Sequence, residues 1–70
     1  MKYRDLISKI RKAAKAKGIP FEQQRQKGSH QMWTCGRTPV VIPSHTEVNE
    51  LTAQNILKTL EAELGERWWR

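Results

Sequence analysis

Four glycines divide this chain of 70 residues into segments whose lengths limit the elements that each can form. The segment before Gly18 is long enough for a helix, and so is the segment that ends at Gly65. Three shorter stretches follow, from Gly18 to Gly28, from Gly28 to Gly36 and from Gly36 to Pro43, and each has the length of a strand. The division predicts a helix, three short strands and a second helix.

Hydrophobic periodicity supports this division. Apolar residues recur at helical spacing near both ends of the chain, at Leu6, Ile7, Ile10, Ala13 and Ala14 and at Ala53, Ile56, Leu57, Leu60 and Leu64. We expect a first helix over about residues 4–17, and a last helix that Asn49 caps and Gly65 ends. Residues typical of strands lie between them, namely Trp33, Thr34, Val40, Val41 and Ile42.

The expected fold is therefore α+β, with a three-stranded antiparallel sheet, two helices on one face and the other face open. This α-β-β-β-α order resembles the double-stranded-RNA-binding domain, which reads RNA through its shape and phosphates. We expect one domain over residues 1–65 and a short tail, residues 66–70, that contains tryptophan and arginine. Trp68 and Trp69 suit contact with a partner protein, self-association or docking onto the chain's own body.

The net charge of +6 is unevenly distributed. Residues 1–37 hold ten Lys or Arg and two Asp or Glu, a net of +8, whereas residues 38–70 carry a net of −2. Such a basic half favours polyanionic partners, although the same residues also suit a solvated helix surface. No apolar run is long enough for a membrane span and no signal peptide is recognisable, so we expect a cytoplasmic protein without a membrane partner. A lone Cys35 with two histidines is a poor set of metal ligands, and we expect no metal or other cofactor.

Residues 25–30 bring together, at one turn, several groups that can bind phosphate or transfer a proton. Gly28 and Ser29 shape a loop whose backbone N–H groups suit phosphate contact, and Arg25 and Lys27 suit neutralisation of phosphate charge. His30 is a candidate for proton transfer in phosphodiester cleavage, because an imidazole can both accept and donate a proton. The plain alternative is a polar turn whose histidine only ends a strand.

Several segments together resemble the HicA-type toxins of bacterial toxin–antitoxin pairs. The resemblance covers about residues 3–60 and rests on residues 4–7, 25–30, 40–45 and 56–57 and on Trp33. It implies a metal-independent endoribonuclease that cleaves mRNA and arrests translation, with His30 as the catalytic residue. It also implies inhibition by a HicB-type antitoxin protein, in a complex that can assemble to higher order. The polar first strand differs from the family pattern, which leaves its register open.

Two further questions stay open at the level of sequence. His45 is either an accessory acid or base or a loop histidine that positions backbone or contacts the antitoxin. Trp33 suits either core packing or stacking on RNA. The alternatives to a nuclease are a non-catalytic RNA-binding module and an inactivated toxin that acts only as a protein-interaction domain.

Overall fold

The helices and strands follow the predicted order. A computed structural model, which describes residues 1–70, begins with helix α1 (Tyr3–Lys17) and continues with strands β1 (Phe21–Lys27), β2 (His30–Cys35) and β3 (Thr38–Pro43). Helices α2 (Glu50–Thr59) and α3 (Glu61–Leu64) complete the fold. The strands form one antiparallel sheet in the order β1-β2-β3, which confirms the α+β prediction. No helix is long and apolar enough to cross a membrane.

The helix ends use the signals seen in the sequence. Gly18 ends α1 in the left-handed conformation, with φ 68°, and its N–H bonds to the last turn of the helix. Asn49 caps α2, because its side-chain oxygen accepts a hydrogen bond of 2.9 Å from the Leu51 N–H. Both boundaries confirm the predicted positions.

The last helix differs from the prediction of one continuous element. It breaks at Leu60, whose ψ of −4° lies outside the helical range and whose carbonyl accepts from the N–H groups of both Glu63 and Leu64. Leu60 and Leu64 are both buried, and α3 packs against α1. The break therefore keeps both leucines in the core while Glu63 reaches the turn between β2 and β3.

The core lies between the helices and one face of the sheet. Helix α1 packs against β1, and α2 packs against β3. From the sheet, this layer receives mainly Phe21, Trp33, Cys35, Val40 and Ile42. The other face has no covering element, and Val41 on it is 46 % exposed. The open face agrees with the predicted layer arrangement.

A β-bulge in β1 decides which side chains reach the open face. Phe21 pairs with Cys35 and is buried, so strict alternation would turn Arg25 and Lys27 toward the helices as well. The register instead shifts between Gln23 and Arg25, which places Arg25 opposite Met32 and Lys27 opposite His30. The extra residue at Gln24 therefore separates a buried Phe21 from two exposed cations on the same strand.

The tail docks onto the chain's own body. The indole N–H of Trp68 donates a hydrogen bond of 2.8 Å to the Leu57 carbonyl, and Trp69 meets Trp68 edge-on with ring centroids 6.0 Å apart. Both rings are half-buried against the core. Of the possibilities that the sequence left open, packing on α2 accounts for the tryptophans.

Candidate functional site

A shallow hollow on the open face collects three of the residues predicted to act on a phosphodiester. It has a volume of about 280 Å³ and is lined by Arg25, Lys27, His30, Met32 and Val41. The three polar residues are exposed, while Met32 and Val41 form an apolar floor beside them. The arrangement places two permanent cations and one imidazole around a space that is open to a large ligand.

The hairpin turn sets the relative positions of these residues. Lys27 and His30 pair directly across the two-residue loop Gly28–Ser29, so their Cβ atoms lie about 5 Å apart on one face. Gly28 has φ 60°, as the first position of a tight hairpin turn requires, and a Cβ built there would meet no atom within 4 Å. The space around Gly28 is therefore open to solvent.

A hydrogen-bond network ties this turn to the core through Gln31, which sequence reasoning missed. Gln31 is only 8 % exposed, and its side-chain oxygen accepts from the Tyr3 hydroxyl and, at 2.9 Å, from the Trp33 indole N–H. Its amide donates to Gln26, whose own amide donates to the Gly28 carbonyl at 2.9 Å. The chain of bonds therefore runs from α1 across β2 to the turn beside His30.

Ser29 has a structural position rather than an exposed one. Its carbonyl accepts from both the N–H and the hydroxyl of Ser44, at 2.7 and 3.2 Å. These bonds hold the chain that leaves β3 against the turn that carries His30. Ser29 does not line the hollow, where it was expected to help bind phosphate.

His45 does not line the hollow. It lies in a second concavity, which we call the cleft, of about 430 Å³ lined by Lys2, Tyr3, Arg4, Ser44, His45 and Thr46. Ser44 lines the cleft and is bonded to Ser29, the residue before His30, so the cleft lies near the turn that carries His30. The structure therefore separates the two histidines into neighbouring sites and does not bring them together around one phosphate.

The Lys and Arg side chains of the protein form no internal ion pairs. The only salt bridges join the Met1 ammonium to Glu47 and Glu50, at 2.5 and 2.7 Å, so none of the 13 Lys and Arg side chains is paired with a carboxylate. These contacts raise the pKa of the Met1 ammonium above its ordinary value of 8.0. The positive charge of the first half of the chain is thus available to an external polyanion.

Trp33 and Cys35 both belong to the core. Trp33 is buried, stacks on Phe21 with ring centroids 4.5 Å apart and lies under the Arg11 guanidinium, which resolves its role as packing. Cys35 is fully buried, and burial together with the nearby Glu63 raises the pKa of its thiol above the ordinary value of 9.0. A buried thiol with a raised pKa is a poor nucleophile, so Cys35 contributes to core packing.

No group of three or more His, Cys, Asp or Glu side chains is placed to hold a metal ion. A scan against family models and searches of curated proteins and of solved structures found no match to this chain.

Proposed function

We propose that this protein is a HicA-like toxin, a cytoplasmic endoribonuclease that cleaves mRNA and is held inactive by a HicB-type antitoxin. The observation that carries the proposal is the bulge at Gln24, which turns Arg25 and Lys27 to the face where His30 lies. Exposed cations are common on an edge strand such as β1, so the support comes from their position beside His30 and not from their charge alone. The same segment, residues 25–30, carries the sequence resemblance.

The chemistry follows from what each side chain offers. The ribose 2′-hydroxyl attacks the adjacent phosphorus, a P–O2′ bond forms, the P–O5′ bond breaks, and the products are a 2′,3′-cyclic phosphate and a 5′-hydroxyl. His30 accepts the proton of the attacking hydroxyl, a step worth roughly 10²–10⁴-fold in rate. Arg25 and Lys27 stabilise the charge that develops on the phosphoryl oxygens. Water supplies the proton of the leaving oxygen, because no second histidine lines the hollow.

An open face suits both the substrate and the inhibitor. A hollow of about 280 Å³ is shallow enough to receive a flexible single strand of mRNA without a deep pocket. Met32 and the half-exposed Val41 give a protein partner an apolar centre ringed by cations. A HicB-type antitoxin that is acidic at its contact surface would cover this face and exclude RNA.

The test compares the wild type with His30→Ala, produced in bacteria without an antitoxin and purified for cleavage of single-stranded RNA. We expect growth arrest and loss of mRNA from the wild type only, and a fall in cleavage of at least about 100-fold for His30→Ala. Gln54→Ala, an exposed change on α2, is the matched control and should retain full activity. Cleavage should persist in a metal chelator and leave cyclic phosphate ends.

The outcomes separate the alternatives. RNA binding by the wild type without any cleavage would favour a non-catalytic RNA-binding module. Absence of both binding and growth arrest would favour a domain that only contacts proteins. Equal cleavage by the wild type and His30→Ala would remove His30 from the mechanism.

A further inference from the structure

The largest concavity of the molecule is the cleft, and the proposed cleavage reaction does not use it. Only one of the six residues that line the cleft is apolar. Three others, Lys2, Arg4 and His45, carry or can acquire positive charge. Lys2 and Arg4 are exposed and have no carboxylate within 4.0 Å. The cleft is therefore a cationic, polar site that is open to solvent.

The carboxylates nearest to the cleft along the chain form no salt bridge with its cations. Glu47 and Glu50 bind the Met1 ammonium, and Asp5 is exposed in the first turn of α1 without a salt bridge. Thr46 presents its carbonyl to the Tyr3 N–H at 3.0 Å, which fixes the loop that carries His45 against the start of α1. The backbone that carries these cations is therefore fixed, and their side chains have no salt-bridge partner within the protein.

The cleft also lies close to the hollow, although the two share no lining residue. His30 pairs with Pro43 across β2 and β3, and at most about 7 Å of chain separates the Cα of Pro43 from that of His45. Ser44, between them, is bonded to Ser29. A single strand whose scissile phosphate lies at His30 therefore has a neighbouring phosphate within reach of the cleft.

We propose that the cleft is a second phosphate-binding subsite, in which Lys2, Arg4 and His45 hold a flanking phosphate of the RNA strand that is cut at His30. This inference rests on the proposed nuclease function for the identity of the strand. A phosphate fits better than an acidic protein side chain, because the cleft lies close along the chain to a hollow that already presents two cations to a nucleic acid backbone. His45 is then a binding residue and not the second proton carrier.

The first experiment measures binding alone, in the His30→Ala background, with a fluorescently labelled single-stranded RNA and a salt titration. We expect Lys2→Gln and Arg4→Gln each to weaken binding roughly threefold to fivefold, as for one exposed ion pair. Each should also lower the slope of log K against log salt by about 0.7. Lys58→Gln, an exposed lysine on α2, is the matched control and should change neither quantity. Thermal melting verifies that all the variants are folded.

The second experiment measures cleavage by the wild type, Arg4→Gln and His45→Gln. A binding role predicts a rise in KM with kcat nearly unchanged, and the loss should be similar for RNAs of different sequence. A fall in kcat at constant KM for His45→Gln would overturn the assignment and make it a proton carrier. Unchanged affinity and salt slope for Lys2→Gln and Arg4→Gln would overturn the subsite itself.

Failure of the subsite and failure of the nuclease are distinguishable. If the wild type cleaves RNA and the cleft variants bind and cleave like it, the subsite is wrong and the nuclease stands. If the wild type does not cleave RNA but the cleft variants still lose affinity and salt dependence, the cleft binds RNA and the nuclease proposal is wrong.

Discussion

The two hairpin turns of the sheet are alike in backbone and opposite in surroundings. Gly28–Ser29 and Gly36–Arg37 are both two-residue loops that begin with a glycine at φ 60°. A Cβ at Gly28 would meet nothing, whereas a Cβ at Gly36 would lie 2.7 Å from a Glu63 carboxylate oxygen. That carboxylate accepts from the Arg37 N–H and the Thr38 hydroxyl, at 3.1 and 3.2 Å.

The difference shows how one turn type serves two purposes. The turn at Gly36 is closed by α3 and belongs to the packing of the fold. The turn at Gly28 is held on one side only, by hydrogen bonds from Gln26 and Ser44. Its other side faces solvent next to His30. Substitutions at the first turn should therefore act on activity, and substitutions at the second should act on stability.

Gly36→Ala should have the largest effect on stability. The substitution adds left-handed strain of about 1–2 kcal/mol and displaces Glu63 from hydrogen bonds worth about 1 kcal/mol, so we expect a loss of about 2–3 kcal/mol. Urea unfolding followed by tryptophan fluorescence measures it. Cleavage by the fraction that stays folded should be unchanged, and a specific loss of cleavage there would contradict the division between the turns.

Gly28→Ala should cost less stability and more activity. The new methyl group has no neighbour to displace, so only the strain of about 1–2 kcal/mol remains. Because the strain acts on the turn that positions His30 opposite Lys27, we expect RNA cleavage to fall by at least about tenfold, the effect of about 1.4 kcal/mol on a barrier. Full activity in this variant would show that the open side of the turn is not used by substrate.

Glu63→Ala should have a smaller effect and should remove the difference between the two glycines. It takes away the two hydrogen bonds to the turn, with an expected loss of about 1 kcal/mol. In this background, Gly36→Ala should cost the same as Gly28→Ala. Glu66→Ala, an exposed position, serves as the control with little expected change. A persistent extra cost at Gly36 would mean that Glu63 is not its cause.

The smallest expected effect is on the pH dependence of stability. It concerns the loop that holds the Gly28 turn through Ser44. This loop leads from Ser44 to Glu47 and Glu50, which bind the Met1 ammonium and raise its folded-state pKa above 8.0. A raised pKa means that the contribution to stability is complete below pH 8 and is lost as pH rises through the folded-state pKa. Stability should decline slightly over that range in urea titrations at several pH values. The double variant Glu47→Gln/Glu50→Gln should flatten the decline, and an unaltered slope would assign it to other groups.

The sequence predicts those parts of the fold that depend on neighbours along the chain. Gly18 and Asn49 end and begin helices because their signals are local, and the Gly28 turn brings Lys27 and His30 together for the same reason. Arg25 reaches the same face only through the bulge, and the phosphate-binding role of Arg25 and Lys27 stays a prediction. The catalytic role of His30 stays a prediction.

What the sequence could not predict depends on contacts between distant segments. The burial of Gln31 relies on Tyr3, 28 residues away, and the break at Leu60 accompanies a contact between Glu63 and Arg37, 26 residues away. The bulge in β1 was hidden because a polar strand gives no alternation from which to infer its register. A buried glutamine in phase with Trp33 and Cys35 was the one available signal, and it marked the network that positions the turn.

The bulge has a consequence for how the length of this chain can vary over evolution. Removing Gln24 would leave a regular strand in which Phe21 still opposes Cys35 and Arg25 still opposes Met32. Removing Glu22 or Gln26 without a compensating shift would exchange the inner and outer sides of part of the strand. A single-codon deletion is therefore tolerable at Gln24 and damaging at those other positions, so this one position can gain or lose a residue without moving the proposed site.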